Sequence, residues 1–188
     1  MSNLRVIAGT ARGQNLRSVP GDVTRPITDR VKESLFNIIG PDIQDAFFLD
    51  MFAGTGAVGI EALSRGAKRV RFIDRHRQAV KTVRTNLSNT KLADRAEVIQ
   101  MDAFLALDQK ADSPFDYVYI APPQYKGIWK KALVEIDARL DLLAEFAWVI
   151  VQIDPLELEK VDLNNLQEFD QRQYGSTLLL FYVLPEIG

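Results

Sequence analysis

The sequence predicts an α/β protein built on a doubly wound, mainly parallel sheet, and three observations predict it. Short apolar runs alternate with stretches of helical period from residue 46 to residue 153. A glycine turn carrying Gly54, Gly56 and Gly59 joins the first run to the helical stretch behind it. Carboxylates stand at the ends of successive runs: Asp50, Asp74 and Asp102. Strands separated by helices need crossover connections, and such connections make neighbouring strands parallel.

Residues 4–19 read as a two-stranded ribbon, L-R-V-I-A and N-L-R-S-V, around a turn bounded by Gly9 and Gly13. Arg5, Arg12 and Arg17 meet no acidic residue before Asp22, so the segment reads either as a flexible basic grip on a phosphate backbone or as an edge hairpin protected by charge. Thr28 or Asp29 caps a helix running to about residue 39, with Val31, Leu35, Ile38 and Ile39 on one face and Gly40-Pro41 as its stop.

The alternation then begins with a strand at 46–50 and a helix at 57–65 that ends at Gly66. A strand at 69–73 closes on Asp74, and the helix at about 76–88 turns Val80, Val83 and Leu87 inward. Next come a strand at 97–100, a short helical piece at 103–109, and a strand at 117–120 that runs into Ala121-Pro122-Pro123. A helix at about 127–143, a strand at 148–153 and a short helix near 156–160 follow. Strands near 168–174 and 177–184 are joined only by Gly175-Ser176, so the last strand runs antiparallel to its predecessor.

Composition narrows the chemistry. The 188 residues suit one domain with a sizeable core, and 47% apolar with 26% charged residues is ordinary for a globular chain. Having no cysteine excludes disulfide frameworks, thiolate metal sites and cysteine nucleophiles. The single histidine, His76, leaves little material for a zinc site or a serine triad, so no metal is expected. No apolar run reaches membrane-spanning length and the first residues carry no signal-peptide core, so a cytoplasmic location is expected, without membrane association.

The net charge of −2 conceals an asymmetry: residues 1–95 hold 16 Lys+Arg against 9 Asp+Glu, and residues 96–188 hold 7 against 16. A basic first half suggests a face for a polyanion; helices presenting solvated charge would leave the same count. Lys126, Lys130 and Lys131 read equally as a phosphate-facing rim or a solvated helix face.

The turn at 54–59 has G-x-G-x-x-G spacing, which lets backbone approach a nucleotide-like ligand at a helix N-terminus. In an open α/β sheet such ligands lie beyond the carboxyl ends of the strands, where the strand order reverses. Asp74, 20 residues after Gly54, suits a carboxylate bonded to ribose hydroxyls. Carboxylates also cap helices at such junctions, but three at successive strand ends point to a ligand. Asp50 would repel the pyrophosphate of a dinucleotide and attract an ammonium or sulfonium, and Asp102 is placed to accept from an adenine amine. The acid-rich crevice therefore favours S-adenosylmethionine over a nicotinamide dinucleotide. Two prolines after a buried strand end the sheet and leave carbonyls without ladder partners. Trp129 and Trp148 read as packing residues, and His76 as an exposed helix start.

The runs A-G-T-A-R-G, T-R-P-I-T-D-R-V-K-E-S-L-F-N-I-I and L-D-M-F-A-G-T-G-A-V-G-I-E-A-L-S-R-G-A, with the later proline pair, resemble the RsmD-type methyltransferases. The resemblance covers nearly the whole chain and is most specific at 24–39 and 47–67. It implies a Rossmann-like class I methyltransferase fold, with a seven-stranded sheet whose last strand is antiparallel and an N-terminal β-hairpin extension. On that pattern residues 1–24 form the basic arm and 25–188 the methyltransferase domain. The implied activity is transfer of a methyl group from S-adenosylmethionine to the exocyclic N2 of a guanine in small-subunit ribosomal RNA. The partner is that RNA or an assembling small subunit, and the enzyme is expected as a monomer.

The resemblance assigns Asp50, Phe52, Gly54, Gly56, Asp74, Arg75, Asp102 and Ala103 to the cofactor, with Asp50 and the glycines at its methionine end. Arg25 and Arg30 match the family's R-P-x-x-D-R segment near the RNA entrance and join Arg5, Arg12 and Arg17 as RNA-binding candidates. The target loop is Ala121, Pro122, Pro123, Gln124 and Tyr125, where the family pattern is Asp/Asn-Pro-Pro-Tyr/Phe. Ala121 has no acceptor, Gln124 offers a carbonyl instead, and the aromatic residue comes one place late. Those departures also admit a cofactor- and rRNA-binding homologue without catalysis, or an N-methyltransferase acting on adenine.

Overall fold

A computed structural model describes residues 4–21 and 26–186. Arg25 lies outside the described residues. The elements in order are α1 (Asp29–Ile39), β1 (Phe47–Asp50), α2 (Ala57–Ser64), β2 (Arg69–Asp74), α3 (Arg77–Thr90) and β3 (Ala96–Gln100). They continue with α4 (Ala103–Ala106), β4 (Phe115–Ile120), α5 (Ile128–Ala138), β5 (Leu143–Ile153), β6 (Gln167–Tyr174) and β7 (Thr177–Val183). The sheet has seven strands in the order β3-β2-β1-β4-β5-β7-β6. Strands β1 to β5 pair parallel, and β7 runs antiparallel to both of its neighbours, as expected from the tight turn before it.

Alternate residues of each strand feed two cores. Phe48, Phe72, Tyr117, Tyr119, Ile150 and Phe181 face the layer that holds α1, α2 and α3. Leu49, Ile73, Val118, Ile120, Val149 and Leu180 face α4 and α5 on the other side. Every one of these strand residues is buried, the pattern of a sheet covered on both faces. Thr28 caps α1, its hydroxyl accepting from Val31 N at 3.3 Å, and Gly40 ends it at φ 68°. Trp129 is buried, and Trp148 sits among Tyr117, Phe169 and Phe181, so both tryptophans pack as expected.

Four expectations shift. The N-terminal ribbon pairs antiparallel through the Arg5↔Asn15 bridge and the bonds from Val6 N to Gln14 O (2.9 Å) and Leu16 N to Leu4 O (2.7 Å), but it is docked rather than flexible. Leu4, Val6, Ala11 and Leu16 are buried in the same core as α1 and α2. The Glu61 carboxylate, on α2, accepts from Ile7 N (2.8 Å) and Ala8 N (3.1 Å) while pairing with Lys32 (3.3 Å) and Arg65 (3.0 Å). Ser64 Oγ accepts from Ala11 N at 3.0 Å and donates to Ala8 O at 2.6 Å, so one turn of α2 satisfies the ribbon's backbone.

Helix α5 stops at Ala138, five residues short of the expected end near 143. Arg139 draws the chain aside by bonding Asp141, Asp108 and the Leu107 carbonyl. Strand β5 begins five residues early because an irregularity carries residues between the Phe115↔Leu143 and Tyr117↔Trp148 pairs, with Phe146 at φ 58°. The helix expected near 156–160 is a single 3₁₀ turn, Pro155–Glu157.

Candidate active site

Strand order reverses between β1 and β4: β2 and β3 lie on one side of β1, and β4 and β5 on the other. Asp50, the last residue of β1, is level with Tyr119 of β4, two residues before Ala121. The glycine turn and the proline loop, about 70 residues apart in sequence, therefore leave the sheet side by side at its switch point.

The turn after β1 is fixed by backbone. Ala53 N donates to Ile73 O (2.8 Å), Met51 N to Tyr119 O (3.1 Å) and Gly56 N to Ala53 O (2.8 Å). Asp74 ties the turn to β2: Oδ2 accepts from Gly54 N at 3.0 Å and Oδ1 from His76 N at 2.9 Å. Gly54 has φ 56°, and a Cβ there would meet no atom within 4 Å, so it is a left-handed corner facing open space. Gly59 serves packing instead, since a Cβ there would come within 2.3 Å of the Phe72 ring. The three glycines thus divide the work: two shape the turn, and the third lets α2 lie against β2.

Asp50 is buried beneath this turn. Its Oδ2 accepts from Gly59 N at 3.2 Å, and its Oδ1 has no hydrogen-bond partner among the described residues. Burial pushes its pKa up to about 7; the Gly59 N–H pulls it back in part, and the Asp74 charge raises it further. A buried acceptor without a donor is the feature here that fits a cationic ligand group, because an ammonium would supply both the proton donor and the opposing charge.

Asp102 caps α4, its Oδ1 accepting from Phe104 N (2.9 Å) and Leu105 N (3.2 Å), and it brings buried Ala103 behind it. Asp74 and Asp102 thus both serve backbone at the carboxyl ends of β2 and β3, the side of such a sheet where ligands bind. Phe52 sets its ring edge-on to Phe104 at 6.4 Å, an apolar pair that the sequence reading did not connect. Arg75 is exposed and lies 3.4 Å from the His76 ring nitrogen.

The target loop is built differently. Pro122 is buried and Ala121 half-buried, while Pro123, Gln124 and Tyr125 are exposed. Tyr125 has φ 62°, a left-handed backbone that costs a side-chain-bearing residue on the order of 1–3 kcal/mol. Two carboxylates past the end of β5 hold it there: its N donates to Glu157 Oε1 and its hydroxyl to Asp154 Oδ2, each at 2.7 Å. Asp154 and Glu157 face the tyrosine because they form the capping box of the Pro155–Glu157 turn. A D-P-L-E capping signature is legible in sequence; its contact with Tyr125 is not.

The basic candidates separate. Arg5 pairs with Asp29 at 2.8 Å, while Arg12 and Arg17 are exposed on the docked ribbon. Arg30 lies over the Tyr174 ring at 5.7 Å. Because β6 runs parallel to β5, Tyr174 stands at the sheet edge where β1 and β4 end, and Arg30 is brought to that edge. Of the lysines after the proline loop, Lys130 pairs with Glu159 and Lys131 lies 4.2 Å from the Phe104 ring centroid.

Comparison with known proteins agrees with this architecture. Residues 4–183 match the family described as Conserved hypothetical protein 95. A Bacillus subtilis relative, "Putative rRNA methyltransferase YlbH", is 38% identical over 182 residues, covering 95% of this chain and 98% of its own length. Ribosomal RNA small subunit methyltransferase D of Haemophilus influenzae is 37% identical over 148 residues, covering 78% of this chain and 73% of its own. A solved structure, "Putative methyltransferase yhhF from Escherichia coli", superposes with TM-score 0.81 at 34% identity over 97% of this chain and 98% of that one. The fold is thus of the Rossmann-like class I methyltransferase type, and the chain belongs to the Conserved hypothetical protein 95 family, the RsmD-type family.

Proposed function

We propose that this protein is a ribosomal RNA methyltransferase that transfers a methyl group from S-adenosylmethionine to the exocyclic N2 of a guanine in small-subunit RNA. The observation that carries the reading is the meeting of the glycine turn, with Asp50 buried beneath it, and a proline loop at the β1/β4 switch point. The names of its relatives support the substrate class.

S-adenosylmethionine, when bound, supplies a methyl group made electrophilic by its sulfonium. Asp50 and the Gly54–Gly56 backbone receive the methionine end of the cofactor, Asp74 its ribose hydroxyls, and Asp102, Ala103 and the Phe52–Phe104 pair its adenine side. Arg75 flanks the ribose-binding carboxylate. On the other side of the switch point, the Pro122 and Pro123 carbonyls, with the Gln124 amide, accept from the N–H groups of the target amine. Those acceptors turn its lone pair out of conjugation with the ring and toward the methyl, and they stabilise charge as it develops. Tyr125 offers a face for the unstacked base. Catalysis is otherwise positioning, and no covalent enzyme intermediate is required. Arg12, Arg17, Arg25 and Arg30 contribute phosphate contacts.

Two other readings draw on Ala121 and Gln124: a binding protein without transfer, and an enzyme acting on an adenine amine. Incubating small-subunit particles and deproteinised 16S rRNA with tritiated cofactor, then analysing nucleosides by mass spectrometry, separates all three. Stoichiometric label in N2-methylguanosine is expected. Label in a methyladenosine moves the target, and no incorporation into either substrate leaves only binding.

A further inference from the structure

We propose that the outer face of α3 is a binding surface for the phosphate backbone of the RNA substrate, continuous with the rim of the cofactor crevice. The inference rests on the ribosomal RNA reading above and adds a surface beyond the N-terminal ribbon, which adjoins the same helix where Arg17 bonds Asn86. Helix α3, RQAVKTVRTNLSNT, contains three cations and no carboxylate. Arg77, Lys81 and Arg84 recur at helical spacing on one exposed face, about 4.5–6 Å apart along the axis. Val80, Val83 and Leu87 bury the opposite side. None of the three cations has an acidic partner among the described residues, whereas Arg69 pairs with Asp112, Arg139 with Asp108 and Asp141, and Arg172 with Asp170.

The arrangement is not one that helix stability selects. Arg77 occupies the first turn, where the helix dipole disfavours a cation, and no acidic residue at i±4 offsets Lys81 or Arg84. Together with Ser88, Asn89 and Gln100, the last residue of β3, these cations line an open cleft of about 490 Å³. Cations flanked by neutral donors are the complement of a chain of phosphates, and the neutral groups can bond phosphate or ribose oxygens without repelling them. Direction matters too. Helix α3 starts three residues after Asp74, so a strand lying along it leads from the end of β2 down the side of the sheet.

The test is the triple variant Arg77→Ala/Lys81→Ala/Arg84→Ala, with Arg172→Ala as a control on a distant edge. Affinity for a 16S rRNA transcript is measured across a salt series, methyl transfer as separate kcat and KM, and S-adenosylhomocysteine binding as the check on folding. The expected result is a 10- to 100-fold weaker transcript affinity at moderate salt, with a salt slope shallower by about 2. KM should rise while kcat and S-adenosylhomocysteine affinity hold, and an Arg77→Lys/Arg84→Lys variant should retain wild-type binding. If the triple variant binds S-adenosylhomocysteine normally and keeps its transcript affinity and salt slope, the proposal is overturned. It is equally overturned if binding weakens only for intact particles, since the face would then recognise ribosomal protein. A wild-type chain that neither binds nor methylates the transcript or the particle would instead remove the substrate reading on which this surface depends.

Discussion

The proposed cofactor-binding turn and the proposed target loop meet at one switch point but are built by opposite means. The turn from Asp50 to Gly59 is held by backbone bonds to β2 and β4, by Asp74 and by close packing on Phe72. The loop from Ala121 to Tyr125 is mostly exposed, carries a left-handed tyrosine, and is tied by two side-chain carboxylates from beyond another strand. On the proposed reading, the site made of backbone receives the constant partner, and the loop held by side chains meets the variable one. Such a division lets target chemistry change without disturbing cofactor binding.

Three experiments sharpen or break that contrast. Asp74→Ala strips two backbone N–H groups of their acceptor and removes the proposed ribose contact. S-adenosylhomocysteine affinity, read by calorimetry, should fall roughly 10²- to 10³-fold, the loss expected of about two charge-assisted hydrogen bonds. Affinity within a few-fold of wild type would show that the turn holds its ligand without Asp74. On the other side, Ala121→Asp adds the acceptor typical of the family. Single-turnover transfer should rise about 10- to 100-fold, with cofactor affinity unchanged, because the added group acts on the developing charge of the target amine. No gain in rate would mean that the proline carbonyls and Gln124 already satisfy the amine.

The third and smallest effect concerns pH. The Asp50 carboxyl titrates near 7 in the folded chain against an ordinary 3.8, so the folded state holds an extra proton between those values. Its contribution to stability is complete below about pH 4 and is lost as pH rises through 7. A cationic ligand group favours the carboxylate and reverses the preference. S-adenosylhomocysteine should therefore bind up to about tenfold more tightly at pH 8 than at pH 6, with release of a proton on binding at the lower pH. Asp50→Asn should flatten that profile. A flat wild-type profile would place the ligand ammonium away from Asp50.

The same division explains what was legible beforehand. Thr28, the glycine turn and the terminal aspartates act through groups within a few residues, or through a strand end whose position the alternation already implies. The end of α5 was not legible, because Arg139 is drawn off by Asp108, a residue 31 positions earlier. Nor was the start of β5, where an irregular segment with exposed Glu145 and Phe146 obscures the period of two. In sequence the ribbon reads equally as a free basic arm or an edge hairpin, because its cations are visible while the carboxylate that docks it, Glu61, lies more than 50 residues later.

Sequence alone determined the alternation of elements, the shape of the turn, the acids that stand around it and the kinship that points to S-adenosylmethionine. Each is a local property, set by backbone freedom, periodicity or the chemistry of one side chain. Tertiary structure decided which of these features meet. It set β4 beside β1, so that the proline loop adjoins the glycine turn. It buried Asp50 until one oxygen was left without a donor. It also turned Tyr125 toward Asp154 and Glu157, and aligned on one exposed face the α3 cations that lack an acidic partner among the described residues. Those meetings depend on strand order and on layers packed across the sheet, which no window of neighbouring residues contains.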